Sequence, residues 1–244
     1  MRIQAIACAG VSLVLVSGAQ AAFFSFASDN DHTSYTFRGT GGTLNNANDP
    51  ADPQTLLVDD NNGPLAALSF DVNFVANVQL SYLGSSALPL PGKYSHSYNL
   101  SGTFSFVDRT TSVPLLTIQV QGGLLTAIGN GNNLVTPTSW DDTATMQFSD
   151  RYGVVTYTWN GPNLPGYGLF GGFSSTAGDD GAFTLTSLVG PTGGLGVSVN
   201  PQTGLPSAQW FSEGSFSGQT TIVPAPGAMA LAGMATLVLG RRKR

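Results

Sequence analysis

The sequence predicts an all-β protein whose largest part is one antiparallel β-sandwich. Two neighbouring runs, residues 68–82 and 94–106, alternate between apolar or aromatic residues and polar ones. Because successive side chains of a strand point to opposite faces, each run should bury one face and expose the other. Clusters of Gly, Pro and Asn separate further strand-like segments, and residues 23–222 contain no convincing amphipathic helix. We therefore predict a jelly-roll-like sandwich, with a closed barrel as the alternative architecture.

The two alternating runs also predict the centre of the core. Run 68–82 is long for a single strand, so a bulge or bend is expected in it. Residues 84–92, which include two prolines, read as the connection of a long hairpin to run 94–106. The inward positions of the two runs predict a shared core of Phe70, Phe74, Leu80, Tyr98, Leu100 and Phe104. Further strands are predicted at residues 35–39, 113–121, 143–148, 154–159, 182–188 and 210–222.

The N-terminal segment, residues 1–21, has the pattern of a secretory signal peptide. Arg2 supplies a positive start, an apolar stretch follows, and Ala19 and Ala21 form a small-x-small cleavage site. Cleavage after Ala21 by the secretion machinery is therefore expected. The only cysteine, Cys8, lies inside this segment, so the exported part would contain no thiol and no disulfide.

The distribution of charge argues against nucleic acid as a partner. Of the nine Lys and Arg residues, five lie in the two terminal segments, whereas all fourteen acidic residues lie between them. The exported part, residues 22–222, therefore carries a net charge of −10. Such a surface repels nucleic acid and anionic lipid. With only 9% charged residues, its solubility depends mainly on neutral polar groups.

The C-terminal segment, residues 223–244, combines three features in order. A helix over the uncharged run 227–240 would be about 21 Å long at 1.5 Å per residue, shorter than the ~30 Å core of a bilayer. Cations after such a helix resist leaving the cytoplasmic side. We predict a short transmembrane helix that holds the chain transiently, with an ordinary membrane anchor as the alternative. The motif before the run is Val223, Pro224, Ala225 and Pro226. The basic cluster after it is Arg241, Arg242, Lys243 and Arg244.

This tail resembles the PEP-CTERM sorting signal of exported bacterial proteins, which has a Pro-x-Pro element, a short apolar helix and an Arg-rich end. Ala225 stands where the family has Glu. The resemblance covers residues 223–244 alone. It implies recognition by an exosortase, a membrane-embedded processing enzyme that would cut near the Pro-x-Pro element.

No motif of the exported part predicts catalysis. The G-x-S-x-G, H-E-x-x-H and P-loop patterns are absent, and Glu213 is the only glutamate. A glycosidase would need two opposed carboxyl groups, which an Asp pair would have to supply. His96 lies in an aromatic stripe between Tyr94 and Tyr98 and is predicted to be a packed strand residue. We therefore predict that the protein is not an enzyme.

Acidic loops are the only metal-like signal. The strongest candidate is the stretch that contains Asp59, Asp60 and Asn61, because calcium binds carboxylate and amide oxygens. It lacks the spacing and the distal Glu of an EF-hand. Asp and Asn are also favoured in ordinary turns, where they accept local hydrogen bonds. We predict turns and no required cofactor, with a weak calcium site as the alternative.

Two functions are compatible with these features. The first is an exported surface or extracellular-matrix protein with a structural or adhesive role. The alternative is a lectin-like module that binds extracellular polysaccharide. An exposed strip of aromatic residues would favour the lectin, and buried rings would favour the structural role. The candidate aromatic residues are Tyr152, Trp159, Tyr167 and Trp210.

Overall fold

β-Strands account for nearly all the regular structure of this chain. The computed structural model describes residues 20–27, 35–47, 54–60, 65–132, 136–175 and 179–222. These residues contain thirteen strands, one 3₁₀ turn at Pro165–Tyr167 and no α-helix. The strands are β1 Gln20–Ala27, β2 Phe37–Thr40, β3 Thr43–Asn46, β4 Gln54–Asp59, β5 Leu68–Ala87, β6 Lys93–Asp108, β7 Pro114–Asn132, β8 Thr136–Ser149, β9 Val154–Trp159, β10 Phe173–Ser175, β11 Asp180–Val189, β12 Val197–Ser198 and β13 Trp210–Ile222.

All of these strands pair antiparallel, so the predicted all-β, antiparallel character of the chain is confirmed. The pairings join β1, β4, β5, β6, β7, β8, β11 and β13 in that order, and β13 pairs with β1 to close a circuit. Several arms of the circuit are interrupted strands. β1 and β2 lie end to end along β13. In the same way, β4 and β3 both pair with β5, and β8 and β9 both pair with β7.

The strand order differs from that of a jelly roll. A jelly roll pairs strands that are distant in the sequence, whereas neighbours in this circuit follow one another along the chain. The main exceptions are the pairings of β13 with β1 and β2, which close the circuit. The expected jelly-roll order is therefore corrected to a closed meander, because each connection from β4 to β8 returns the chain beside the strand it has just left.

The period-two pattern of the sequence determines which face of each wall is buried. Residues 72–80 of β5 alternate strictly between buried and partly or fully exposed positions. Of the six predicted core residues, five are buried, and Phe70 is partly buried against the same core. The irregularity predicted within run 68–82 lies instead directly after it, at a register shift between Tyr82 and Gly84. β5 continues to Ala87, so the hairpin connection is shorter than predicted.

Aromatic rings from opposite walls of the circuit meet in its interior. The centroid of Phe183 on β11 lies 5.7 Å from that of Phe74 on β5 and 4.6 Å from that of Phe104 on β6. Phe106 on β6 lies 5.8 Å from Phe216 on β13. Ring contacts at these distances bring the two walls to roughly the 10 Å spacing of packed sheets. The interior of the closed circuit is therefore filled by side chains, as in a sandwich.

The circuit has two ends, which differ in the segments that cover them. We call the terminal end the one at which β1 begins and β13 ends, since Gln20 pairs with Ile222 there. Residues 65–67, 109–113 and 160–172 also lie at this end. The opposite end, here the far end, carries the turns at 41–42 and 88–92 and the long segment 190–209.

Segment 190–209 folds back over the far end. Val197 and Val199 are buried in the core, and β12 pairs with the first part of β8. Gly204, with φ +71°, approaches Tyr82 so closely that an added Cβ atom would lie 2.4 Å from the ring. A side chain at this position would therefore push the segment away from the core.

The alternation on β5 generates a test of the core. Replacing Phe74 by Asp should prevent folding, because an unpaired carboxylate would be buried among phenylalanine rings at a cost comparable with the ~5–15 kcal/mol stability of a whole domain. Val75→Asp, at an exposed position next to it, should fold normally. Far-UV circular dichroism and thermal melting of residues 22–222 would compare the two variants. A folded Phe74→Asp variant would contradict the assignment of this face to the core.

Candidate functional site

A chain of hydrogen-bonded side chains lies inside the far end. The tyrosine hydroxyl of Tyr82 is 2.6 Å from Ser85 Oγ, which is 2.7 Å from His96 Nδ1. His96 Nε2 is 3.1 Å from the backbone oxygen of Asn130. The register shift after Tyr82 creates this arrangement, because the extra residue Leu83 turns Ser85 toward the same face as Tyr82.

The partners of His96 define its proton positions. A carbonyl oxygen can only accept, so Nε2 carries the hydrogen and donates it to Asn130. Nδ1 then accepts from the Ser85 hydroxyl, and the Tyr82 hydroxyl donates to Ser85 Oγ. Burial lowers the pKa of His96, while the Asn130 carbonyl and the charge of Asp141 act in the opposite direction to a smaller extent. His96 is therefore neutral at pH 7, and its predicted role as a packed strand residue agrees with its burial.

A cluster of aromatic side chains in tilted and edge-to-face contact adjoins this polar chain. The ring of Tyr98 lies 5.5 Å from that of Tyr82 and 5.1 Å from that of Trp140, which lies 5.5 Å from Trp210. Trp140 Nε1 donates a hydrogen bond of 2.8 Å to the hydroxyl oxygen of Tyr98. Burial raises the pKa of Tyr98 well above its ordinary range, so this hydroxyl stays protonated. These buried rings form the part of the core that lies at the far end.

The Ser85–His96 pair has the chemistry of a nucleophile with its base, but its surroundings do not. A hydrolytic serine needs an accessible Oγ and donors for an oxyanion beside it. Here Ser85 Oγ also contacts the Tyr82 hydroxyl, and the side chain of His96 has no exposed surface. The arrangement satisfies the hydrogen-bonding groups of three buried or half-buried side chains, which is what a buried polar network requires.

A shallow surface pocket of about 360 Å³ lies outside this network. Trp140 separates the pocket from the core, and the carboxylate of Asp141 at its rim pairs with Lys93 Nζ at 2.7 and 2.8 Å. Sequence reasoning missed this site, because its residues come from β7, β8 and segment 190–209. The lining includes Asn130, Ser139, Asp141, Asp142, Leu195 and Ser198.

The calcium candidates act as turn residues at the terminal end. Asp59 Oδ1 accepts a 2.7 Å hydrogen bond from the backbone nitrogen of Asp60, and Asp60 Oδ2 accepts one of 3.2 Å from that of Leu65. Asn61 lies outside the described residues. In the part of the chain that the structure describes, no three acidic, His or Cys side chains are grouped as metal ligands.

The four aromatic candidates for saccharide binding do not form an exposed strip. Trp159, Tyr167 and Trp210 are buried, and Trp159 Nε1 and the Tyr167 hydroxyl donate to the backbone oxygens of Pro162 and Ala66. Tyr152 alone is exposed, at 37%, and its hydroxyl donates to Gln147 Oε1. Buried rings are the arrangement that favours the structural role, whereas the lectin required an exposed strip.

Of the predicted processing sites, Ala21 belongs to the residues that the structure describes. Ala21 is in β1 and pairs with Thr221 of β13. Ala19 of the cleavage site, the motif 223–226 and the basic cluster 241–244 all lie outside the described residues, as does the predicted transmembrane helix. None of the helical residues that the structure describes forms a segment long and apolar enough to cross a membrane.

Comparison with family models, with curated protein sequences and with solved structures gives no match to this chain.

The burial of His96 predicts a dependence of stability on pH. Its pKa is lower in the folded chain than the ordinary value of 6.5, so below about pH 6.5 the unfolded state binds more protons. The free energy of unfolding should be fully maintained above this pH and should decrease below it, by at most ~1.4 kcal/mol per pH unit for one group. Urea unfolding at pH 7.5, 6.5 and 5.5 would measure the slope. His96→Gln should be less stable at pH 7.5 and should lose this part of the slope; an unchanged slope would contradict the prediction.

The roles of Asp59 and Asp60 predict little effect of calcium. Because both carboxylates already accept hydrogen bonds from the backbone, millimolar calcium should leave the melting temperature nearly unchanged. Differential scanning calorimetry with calcium and with a chelator would test this. An increase of several degrees that the chelator reverses would show that the acidic loops bind the ion.

Proposed function

We propose that this protein is an exported surface or extracellular-matrix protein with a structural or adhesive role, sorted through its C-terminal segment by an exosortase-type enzyme. The observation that carries the proposal is the order of features after the last strand. β13 ends at Ile222, and the Pro-x-Pro motif begins two residues later, ahead of the uncharged run and the basic cluster. A cut near Pro224–Pro226 would thus fall outside the β-domain and leave its pairings intact.

The position of the N-terminal signal supports the same route. β1 begins at Gln20; Ala21 is only partly buried, and Ala22, the residue that would start the exported chain, is buried. Cleavage after Ala21 would therefore leave the buried residues Ala22, Phe24 and Phe26 of β1 in place. Signal peptide, β-domain and sorting tail follow one another at residues 1–21, 22–222 and 223–244.

The interior of the domain favours a structural role over carbohydrate binding. Three of the four candidate aromatic side chains fill the core, and Tyr152 alone of that set is exposed, whereas a stacking platform needs several rings. The antiparallel walls, closed on themselves and packed with phenylalanine, suit a stable unit displayed outside the cell. Retention of the purified domain on matrix polysaccharide would instead support the lectin-like alternative.

Substitutions in the tail should separate retention from cleavage. Replacing Arg241, Arg242, Lys243 and Arg244 by Gln should let the weakly apolar run pass through the membrane, so that uncleaved protein is released. Replacing Pro224 and Pro226 by Ala should leave full-length protein in the membrane, because the processing motif is lost. Mass spectrometry of the protein in the membrane and external fractions would identify both cleavage sites. Normal maturation of both variants would contradict the sorting function.

A further inference from the structure

Both chain ends leave the β-domain from the same side. Gln20 at the start of β1 pairs with Ile222 at the end of β13, and Ala21 pairs with Thr221. Paired residues of antiparallel strands have Cα atoms ~4.5–5.5 Å apart. The signal segment and the tail segment therefore emerge next to each other, at the terminal end.

The surface around these two exits is built from interlocked loops. The Tyr167 hydroxyl in segment 160–172 donates to the backbone oxygen of Ala66. The backbone nitrogen of Asn160 donates to the backbone oxygen of Leu115 at 2.8 Å. An added Cβ atom at Gly166 would lie 2.8 Å from the side chain of Leu65, so these two residues are in close contact. These contacts connect segments 65–67 and 160–172 with each other and with β7.

Each of these loops exposes a large apolar side chain. Leu65 is 40% exposed, Val113 44% and Phe170 50%. Side chains of this kind gain free energy when they enter the interfacial region of a bilayer. The far end also has exposed apolar residues, such as Leu90 and Leu195, so apolar exposure alone does not select one end. The position of the two chain exits selects the terminal end.

The short connection to the tail brings the terminal end close to the membrane. Only residues 223–226 separate Ile222 from the uncharged run, and four residues span at most ~14 Å. β5, with 20 residues, reaches from one end of the domain toward the other. At ~3.3 Å per residue and a tilt of roughly 40°, the far end is about 50 Å from the terminal end. A tether this short allows the terminal end to touch the bilayer and keeps the far end away from it.

We propose that the terminal end is the membrane-facing surface of the anchored chain, with Leu65, Val113 and Phe170 resting on the lipid interface, and that the far end is presented outward. This inference rests on the proposed function, because the tail must first insert. The net charge of −10 opposes binding to anionic lipid, so the tether and not electrostatic attraction brings the two surfaces together. The pocket beside Asp141 and the segment 190–209 then face the surroundings of the cell.

Single labels at the two ends would test this orientation. In the chain of residues 22–244, which lacks Cys8 and the apolar signal segment, Val113→Cys would place one thiol at the terminal end and Leu90→Cys one at the far end. Both positions are exposed, and the cysteines would otherwise be absent. Each variant would be labelled with a small environment-sensitive fluorophore and inserted into phosphatidylcholine vesicles with nitroxide groups on the lipid head. Phe170→Cys and Leu195→Cys form a second, matched pair.

The proposal expects strong quenching at positions 113 and 170, at least threefold above that at positions 90 and 195. Flotation of the vesicles tests the anchor separately. Protein that fails to float overturns the proposed sorting tail and this inference with it. Protein that floats but shows equal quenching at both ends, or stronger quenching at the far end, overturns the orientation and leaves the anchor intact. Melting curves that match the unlabelled protein would establish that each variant is folded.

Discussion

The contact of Phe183 with five other phenylalanine rings holds the two walls of the domain together. Its centroid lies between 4.6 and 6.2 Å from the rings of Phe37, Phe74, Phe104, Phe148 and Phe216. These rings come from β2, β5, β6, β8 and β13, so one side chain on β11 touches five other arms of the circuit. An eight-stranded circuit without such contacts would enclose space for water or a ligand. Here dispersion contacts and buried apolar area fill that space.

Polar side chains complete the fold where backbone pairing is interrupted. β10 and β13 do not pair, but Asp179 Oδ1 accepts hydrogen bonds from the hydroxyls of Ser175 at 3.1 Å and Thr220 at 2.7 Å. The Tyr157 hydroxyl, buried nearby, donates to the backbone oxygen of Asp180. Burial and the adjacent carboxylates raise the pKa of Tyr157 far above its ordinary range. Buried polar groups are also paired at the far end, where the Ser85 hydroxyl donates to His96 Nδ1.

Long alternating runs predicted the core well, because a half-buried strand leaves the same period-two signature whatever it pairs with. β5 and β6 were recognised in this way, whereas β3 and β4, with four and six residues, are too short for a period to be visible. The closing pair of β1 and β13 could not be predicted from local pattern, since it joins residues almost 200 positions apart. Ser85 was missed because a single extra residue reverses the direction of its side chain. Trp159, Tyr167 and Trp210 were ambiguous for a similar reason: amphipathic rings suit either face of a strand, and only the tertiary contacts decide.

The pairing of the first strand with the last has a kinetic consequence for a chain that crosses a membrane from its N-terminus. β1 emerges first but pairs from Ala22 to Ala27 with β13, which emerges last. Until then the edges of β1 and β13 cannot meet, and the hairpins between them form an open sheet. Such an edge is a template for pairing with other chains. A chain of this topology can complete its fold only when β13 has joined β1 and β11, so closure of the circuit is the last step whatever the order of the earlier hairpins.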